Sequence, residues 1–196
     1  AIASDSYFRF IEKEVPPCRD SRDLPAGVLE RLIRESQEIK MHVVEEDLYE
    51  KGVRKALNFG HTFGHALAAC YPQRSHGQAV AKGMVLAAAC SADRGLLQPQ
   101  QAQRLLQLLV SCGLDPVLPC RERDIIPHML HDKKKRGRDL DLVLLAGIGQ
   151  YKLVSDPVEL WTNRAQNPGV SLDSVCNREV PAWLDKAPWV ELRLDL

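Results

Sequence analysis

Arg54-Lys55-Ala56-Leu57-Asn58-Phe59-Gly60-His61-Thr62-Phe63-Gly64-His65-Ala66-Leu67-Ala68-Ala69-Cys70-Tyr71-Pro72 is the stretch from which the rest of the chain can be read. Pro72 ends it, because a pyrrolidine ring cannot continue a helix. Gly60, Gly64, Ala66, Ala68 and Ala69 leave little side chain to hold other elements away, so the segment predicts a helix packed closely against its neighbours. His61 and His65 stand four apart and would share one helix face. An isolated pair at this spacing is more often two capping or packing histidines than a metal site. A metalloprotease helix is disfavoured, because Thr62 and Phe63 stand where that motif carries Glu. His76, ahead of Gly77 at the opening of the next apolar segment, brings three of the six histidines within sixteen residues and favours a metal centre. Catalytic zinc usually takes three protein ligands, so two imidazoles alone are too few.

Working outward, Glu50, Arg54 and Asn58 are again four apart and, if helical, form a stripe leading toward His61. One reading is a solvated Glu50–Arg54 ion pair, worth about 0.3 to 0.5 kcal/mol. The other is an anion pocket in which Arg54 clamps a carboxylate or phosphate and Glu50 acts as a base. Spacing leaves both open. Upstream, residues 1–14 predict a helix closed by Val15-Pro16-Pro17. Pro25 then opens a long amphipathic helix through about Val44, its apolar stripe expected to face a core and Lys40 lying near its end. Downstream, helices are expected from His76 to near Gly95, from Pro99 to Cys112, and over the start of 121–135, before the basic run Lys133-Lys134-Lys135-Arg136. Leu140 to Leu145 reads as a strand, with Gly147 and Gly149 in a turn and Tyr151 to Ser155 returning. The expected fold is mainly α with one small β-hairpin. Residues 1–157 are expected as one helical domain and 158–196 as a tail or linker of unclear structure.

The whole chain has 196 residues, 26 basic against 26 acidic, and is 45% hydrophobic, enough for a real core. Balanced charge argues against a nucleic-acid-binding face or an attraction to anionic membranes. No apolar run is long enough to span a bilayer and the first residues lack the order of a signal peptide, so a cytoplasmic location is expected. The six cysteines are scattered without a C-x-x-C pair and read as reduced thiols.

Three ordered blocks carry a resemblance. Arg54-x-x-Leu57-Asn58-Phe59-Gly60-His61-Thr62-Phe63-Gly64-His65-Ala66, then His76-Gly77-x-Ala79-Val80-Ala81-x-Gly83-Met84, then Asp132-Lys133-Lys134 ahead of Val143-Leu144-Leu145-x-Gly147-Ile148-Gly149 resemble the C-terminal domain of 3-dehydroquinate synthase over residues 1–155. The resemblance implies the second, helical domain of an α/β plus α enzyme, a shikimate-pathway lyase. Such an enzyme converts a seven-carbon keto-sugar acid phosphate to 3-dehydroquinate, with elimination of phosphate. It implies His61 and His76 as ligands of a divalent metal, normally zinc, and Glu50 and His65 as proton acceptors. Lys40, Arg54, Asn58 and Lys133, with Lys134 as rival, would bind substrate. NAD would be held mainly by an N-terminal dinucleotide-binding domain, a missing partner, and no G-x-G-x-x-G run stands in for it. The family's third metal ligand, a glutamate, belongs to a segment just ahead of this chain's first helix. Ala68, Gln78 and Lys82 depart from the family's expected Glu, Glu and apolar residue. A sugar phosphate and a second copy in a homodimer are the other partners implied. A related sugar-phosphate cyclase and a truncated, non-catalytic helical module are the alternative readings, and the isolated fragment is expected to be inactive.

Overall fold

Ser4 Oγ accepts the Tyr7 amide at 3.1 Å, and this cap starts α1 (Asp5–Glu14), whose Tyr7, Phe8 and Phe10 are buried. A computed structural model describes residues 3–15, 21–72, 75–114, 122–136 and 139–166 of the chain. The described elements continue with α2 (Ala26–Glu46), a 3-10 turn (Val53–Asn58), α3 (His61–Cys70), α4 (His76–Asp93) and α5 (Pro99–Ser111). They end with α6 (Glu122–Arg136), β1 (Leu140–Gly147), β2 (Gln150–Asp156) and α7 (Val158–Gln166). The expected mainly helical fold with one hairpin is what the chain adopts. β1 and β2 pair antiparallel, Leu142 opposite Val154, with an irregularity between Leu145 and Gly147.

α4 is the central element. Its small residues Ala79, Ala81, Ala87, Ala88 and Ala89 are all buried, and they admit α3, α5 and β1 around it. The closest approach is to α3. A Cβ on Gly83 would lie 2.1 Å from the Gly60 carbonyl oxygen and 2.6 Å from the Gly64 nitrogen. Gly60, with φ +77°, takes the left-handed conformation that lets α3 begin there. Ser91 ties α4 to the sheet, its Oγ donating to Ala87 O at 2.6 Å and accepting the Leu145 amide at 2.9 Å. α1 is fastened from outside by a bidentate pair, Arg104 Nη2 and Nε to the Glu12 carboxylate at 2.6 and 3.1 Å.

Two expectations need correction. The stripe of α2 does not face a core: Val43 is its one buried side chain among the described residues, while Leu29, Ile33 and Met41 are exposed. A helix of 21 residues runs roughly 30 Å, and among the described residues its main contacts are with the 3-10 turn and with α1, where Tyr7 Oη donates to Leu32 O at 2.7 Å. The stretch expected to open a tail at 158 instead contains α7, and its Trp161 is 0% exposed. Trp161 packs edge-on to Phe63, ring centroids 5.9 Å apart. Its Nε1 donates to Asp156 Oδ2 at 2.8 Å, on the carboxylate that Arg94 grips with both terminal nitrogens at 3.0 and 2.5 Å. Indole burial together with a charge-assisted partner fixes this helix where periodicity alone gave no signal. Residues 167–196, the rest of the expected tail, lie outside the described residues.

Candidate active site

The crossing of α3 and α4 at glycine sets the first feature of the site. His61 opens α3, His65 lies one turn on, and His76 opens α4. Their rings form a near-equilateral triangle, with centroids 5.5 Å apart for His61–His65 and 5.7 Å apart for both His61–His76 and His65–His76. Two imidazoles that share a tetrahedral zinc through nitrogens about 2.1 Å from it place their centroids about 5 Å apart. All three pairs of rings lie close to that spacing. The Nδ1 of His61 is 3.3 Å from Phe59 O. A carbonyl can only accept, so in this contact Nδ1 is the donor and Nε2 is the ring nitrogen left open to a metal. Among the described residues no three His, Cys, Asp or Glu side chains complete a ligand set. The three imidazoles are the candidate donors that the described residues offer to a metal.

His65 is at the cleft surface, and its pKa lies below the ordinary histidine value of 6.5. Partial desolvation is the largest cause, and the neighbouring rings of His61 and His76 add repulsion against a second positive charge. His65 is accordingly neutral at neutral pH and able to accept a proton.

The second feature is the loop between α2 and α3. Glu50, Arg54 and Asn58 do not ride one α-helical stripe, as their spacing had suggested. Glu50 sits in the left-handed region with φ +56°, and Arg54 and Asn58 fall in the 3-10 turn. A turn of three residues places them differently from an α-helix. Asn58 Nδ2 donates to Glu50 Oε1 at 2.5 Å, and Arg54 Nη1 donates to Leu48 O at 2.7 Å.

Glu50, Asn58, His61 and His65 line one cleft of about 500 Å³. The hairpin supplies its far wall, with Asp141, Val143, Leu153 and Ser155. Lys55 Nζ reaches Asp141 Oδ2 at 3.0 Å, and Ser155 Oγ donates to Asp141 Oδ1 at 2.9 Å. Thr62 Oγ1 donates to the Asp141 carbonyl at 3.3 Å and ties α3 to the same strand. Sequence reasoning missed Lys55, Thr62, Asp141 and Ser155. The signal for Asp141 was there, a lone carboxylate in the otherwise apolar run Leu140 to Leu145. Lys40 is exposed on α2, and neither it nor Arg54 is among the residues that line the cleft. Lys133 belongs to α6 by its backbone, and its side chain lies outside the described residues. A larger, more open groove between α1 and α2 holds Arg31, Arg34, Glu35 and Glu38. It is a solvated face, since those charges pair along the helix at 2.5 Å for Arg31–Glu35 and 4.0 Å for Arg34–Glu38.

The chain is 38% identical over 157 residues to the 3-dehydroquinate synthase of Dictyoglomus thermophilum, covering 79% of this chain and 43% of that protein. It is 40% identical over 132 residues to that of Sulfurovum sp., covering 66% and 38%. The chain therefore spans less than half the length of these curated relatives. Among solved structures, it superposes on the 2-epi-5-epi-valiolone synthase ValA of Streptomyces hygroscopicus, solved with NAD+ and Zn2+ bound. There the TM-score is 0.70 at 24% identity, over 85% of this chain and 47% of that one. A 2-deoxy-scyllo-inosose synthase, complexed with carbaglucose-6-phosphate, NAD+ and Co2+, gives a TM-score of 0.60 at 23% identity, over 81% and 49%. At these identities the solved structures speak to the fold alone. The family model described as 3-dehydroquinate synthase C-terminal matches residues 1–135, and with the cleft and its paired imidazoles described, the chain belongs to that family.

Proposed function

We propose that this chain is the metal- and substrate-binding half of a 3-dehydroquinate synthase, which converts a seven-carbon keto-sugar acid phosphate to 3-dehydroquinate and releases phosphate. One observation carries this: Glu50, Asn58, His61 and His65 share a single cleft, with the His76 ring 5.7 Å from both other imidazoles. His61 and His76 are the metal ligands contributed from this side, and a third donor comes from outside the described residues. When bound, the metal supplies Lewis acidity at an oxygen of the substrate, and NAD, held by the partner domain, supplies transient oxidation.

The residues of this chain bind, orient and move protons. Asn58 holds Glu50 Oε1 and so fixes the carboxylate while Oε2 accepts a proton from a substrate hydroxyl. His65, neutral beside two other imidazoles, is the second proton acceptor, and the two bases lie on different elements of the same cleft. A substrate with a carboxylate and a phosphate needs several cations. Arg54 suits the planar carboxylate, and Lys40 and Lys133 act as point charges on phosphate.

The test is a chimera in which the N-terminal portion of the Dictyoglomus thermophilum synthase is joined ahead of this chain. Phosphate release with carbocycle formation from the seven-carbon substrate is expected, and Glu50→Gln should lower kcat by at least about 10²-fold. A folded, zinc-loaded chimera that leaves this substrate untouched counts against the proposal. Turnover of a different keto-sugar phosphate in its place would make the chain part of another cyclase.

A further inference from the structure

The carboxylate of Asp47, just past the end of α2, is the hub of the loop that carries Glu50. Its Oδ1 accepts the Lys51 amide at 3.0 Å. Its Oδ2 accepts the Gly52 amide at 2.7 Å and the Arg54 amide at 3.2 Å. The Asp47 carbonyl also takes the Glu50 amide at 3.4 Å. The chain is thus wound around one side chain between the end of α2 and the start of the 3-10 turn. Within that winding, Glu50 is the one non-glycine described residue with positive φ, at +56°. Such a conformation costs on the order of 1 kcal/mol or more and persists only where surrounding bonds over-determine it. Asp47 supplies those bonds on the C-terminal side, and the Asn58 amide receives the carboxylate so presented. Arg54 is held in the same frame, its backbone nitrogen on Asp47 and its guanidinium on Leu48 O.

We propose that Asp47 is a positioning residue, whose carboxylate gathers the Lys51, Gly52 and Arg54 amides so that Glu50 is delivered to Asn58 at the cleft. Asp47 acts through Glu50, and it is not itself among the residues lining the cleft. The consequence for catalysis rests on the reading of Glu50 as a proton acceptor; the delivery of Glu50 does not. A base displaced by about 1 Å loses about 10²-fold in rate.

The experiment uses the isotopically labelled full chain, with the Asn58 side-chain amide as reporter of the Glu50 bond. Glu50→Ala defines the signal of the broken bond. Asp47→Ala should give that same signal, and amide exchange at Gly52 should accelerate by at least about tenfold. Asp47→Asn keeps one carbonyl acceptor and should lie between wild type and Asp47→Ala. General loosening of the fold would not single out this amide, and unchanged near-ultraviolet circular dichroism verifies packing. Should Asp47→Ala not fold, Asp47→Asn decides: a displacement toward the Glu50→Ala signal supports the role, and an unmoved signal overturns it. In the chimera, Asp47→Ala should lower kcat toward the Glu50→Gln value at unchanged zinc content; a loss that follows zinc content would overturn the assignment. An inactive wild-type chimera would defeat the proposed function while leaving the Asn58 result to decide the role of Asp47.

Discussion

Gly83 of α4 meets Gly60 backbone to backbone: a Cβ on Gly83 would fall 2.1 Å from the Gly60 carbonyl oxygen. No flexible side chain is there to yield, so Gly83→Ala must push α3 and α4 apart. The expected cost is about 3 kcal/mol or more, read as a fall in the urea midpoint. Because the same crossing sets the His61–His76 spacing, zinc affinity should fall as well. Gly77, in the first turn of α4, has nothing within 4 Å of its added Cβ. Gly77→Ala should instead stabilise by about 0.5 kcal/mol, through the unfolded chain. Equal effects of the two substitutions would contradict the close approach.

Two ion pairs of similar length should differ widely in worth. Lys55–Asp141 spans 3.0 Å with side chains 36% and 48% exposed. Arg94–Asp156 spans 2.5 Å with exposures of 25% and 8%, and shares its carboxylate with the buried Trp161 indole. Lys55→Met should change stability by less than about 0.5 kcal/mol. Asp156→Ala strands a half-buried guanidinium and an indole N–H together and should cost about 3 kcal/mol. Thermal and urea denaturation of the two variants settles the contrast.

These contrasts mark what the sequence could and could not convey. Helix boundaries followed from prolines and from small-residue runs, which act locally, so Pro16 and Pro72 and the alanines of α4 were readable in one dimension. The hairpin was readable from Leu140 to Leu145 and the glycines after it. The fate of Trp161 was not, because its partners Phe63, Arg94 and Asp156 come from three separate elements. Nor does spacing reveal the shape of the 47–58 loop. An i, i+4 pattern at Glu50, Arg54 and Asn58 suggests an α-helix, whereas the Asp47 carboxylate draws the backbone into a turn followed by 3-10 geometry. The histidine triangle was half visible: His61 and His65 share a helix, but it is the close crossing of α3 and α4, Gly60 on Gly83 and Gly64 on Val80, that brings His76 to them.

Acid should expose the Asp47 clamp. Its carboxyl titrates below the ordinary value of 3.8, because the amides of Gly52 and Lys51 favour the charged form, with smaller help from Arg54. A depressed folded-state pKa means that the contribution to stability is complete above the unfolded value and is lost as pH falls through the folded one. Wild type and Asp47→Asn should therefore differ most above pH 3.8 and converge in stronger acid. Denaturant midpoints measured across that range check this, and a gap that widens toward acid would reverse the sign of the effect.

The division of labour among the three histidines can be tested without turnover. A metal that binds only the folded protein stabilises it by about 2.7 kcal/mol at a concentration one hundred times its Kd, so zinc should raise the thermal midpoint of the chimera, in which the upstream portion supplies the remaining donor. His61→Ala should abolish that rise, because His61 offers Nε2 while Nδ1 is held near Phe59 O at 3.3 Å. His76→Ala should do the same, since a single imidazole cannot hold the ion against water. His65→Gln should keep the rise, because His65 acts as a proton acceptor and not as a ligand in the proposed site. If His65→Gln erased the zinc effect as fully as the other two, all three rings would be ligands, and Glu50 would be left as the one proposed proton acceptor.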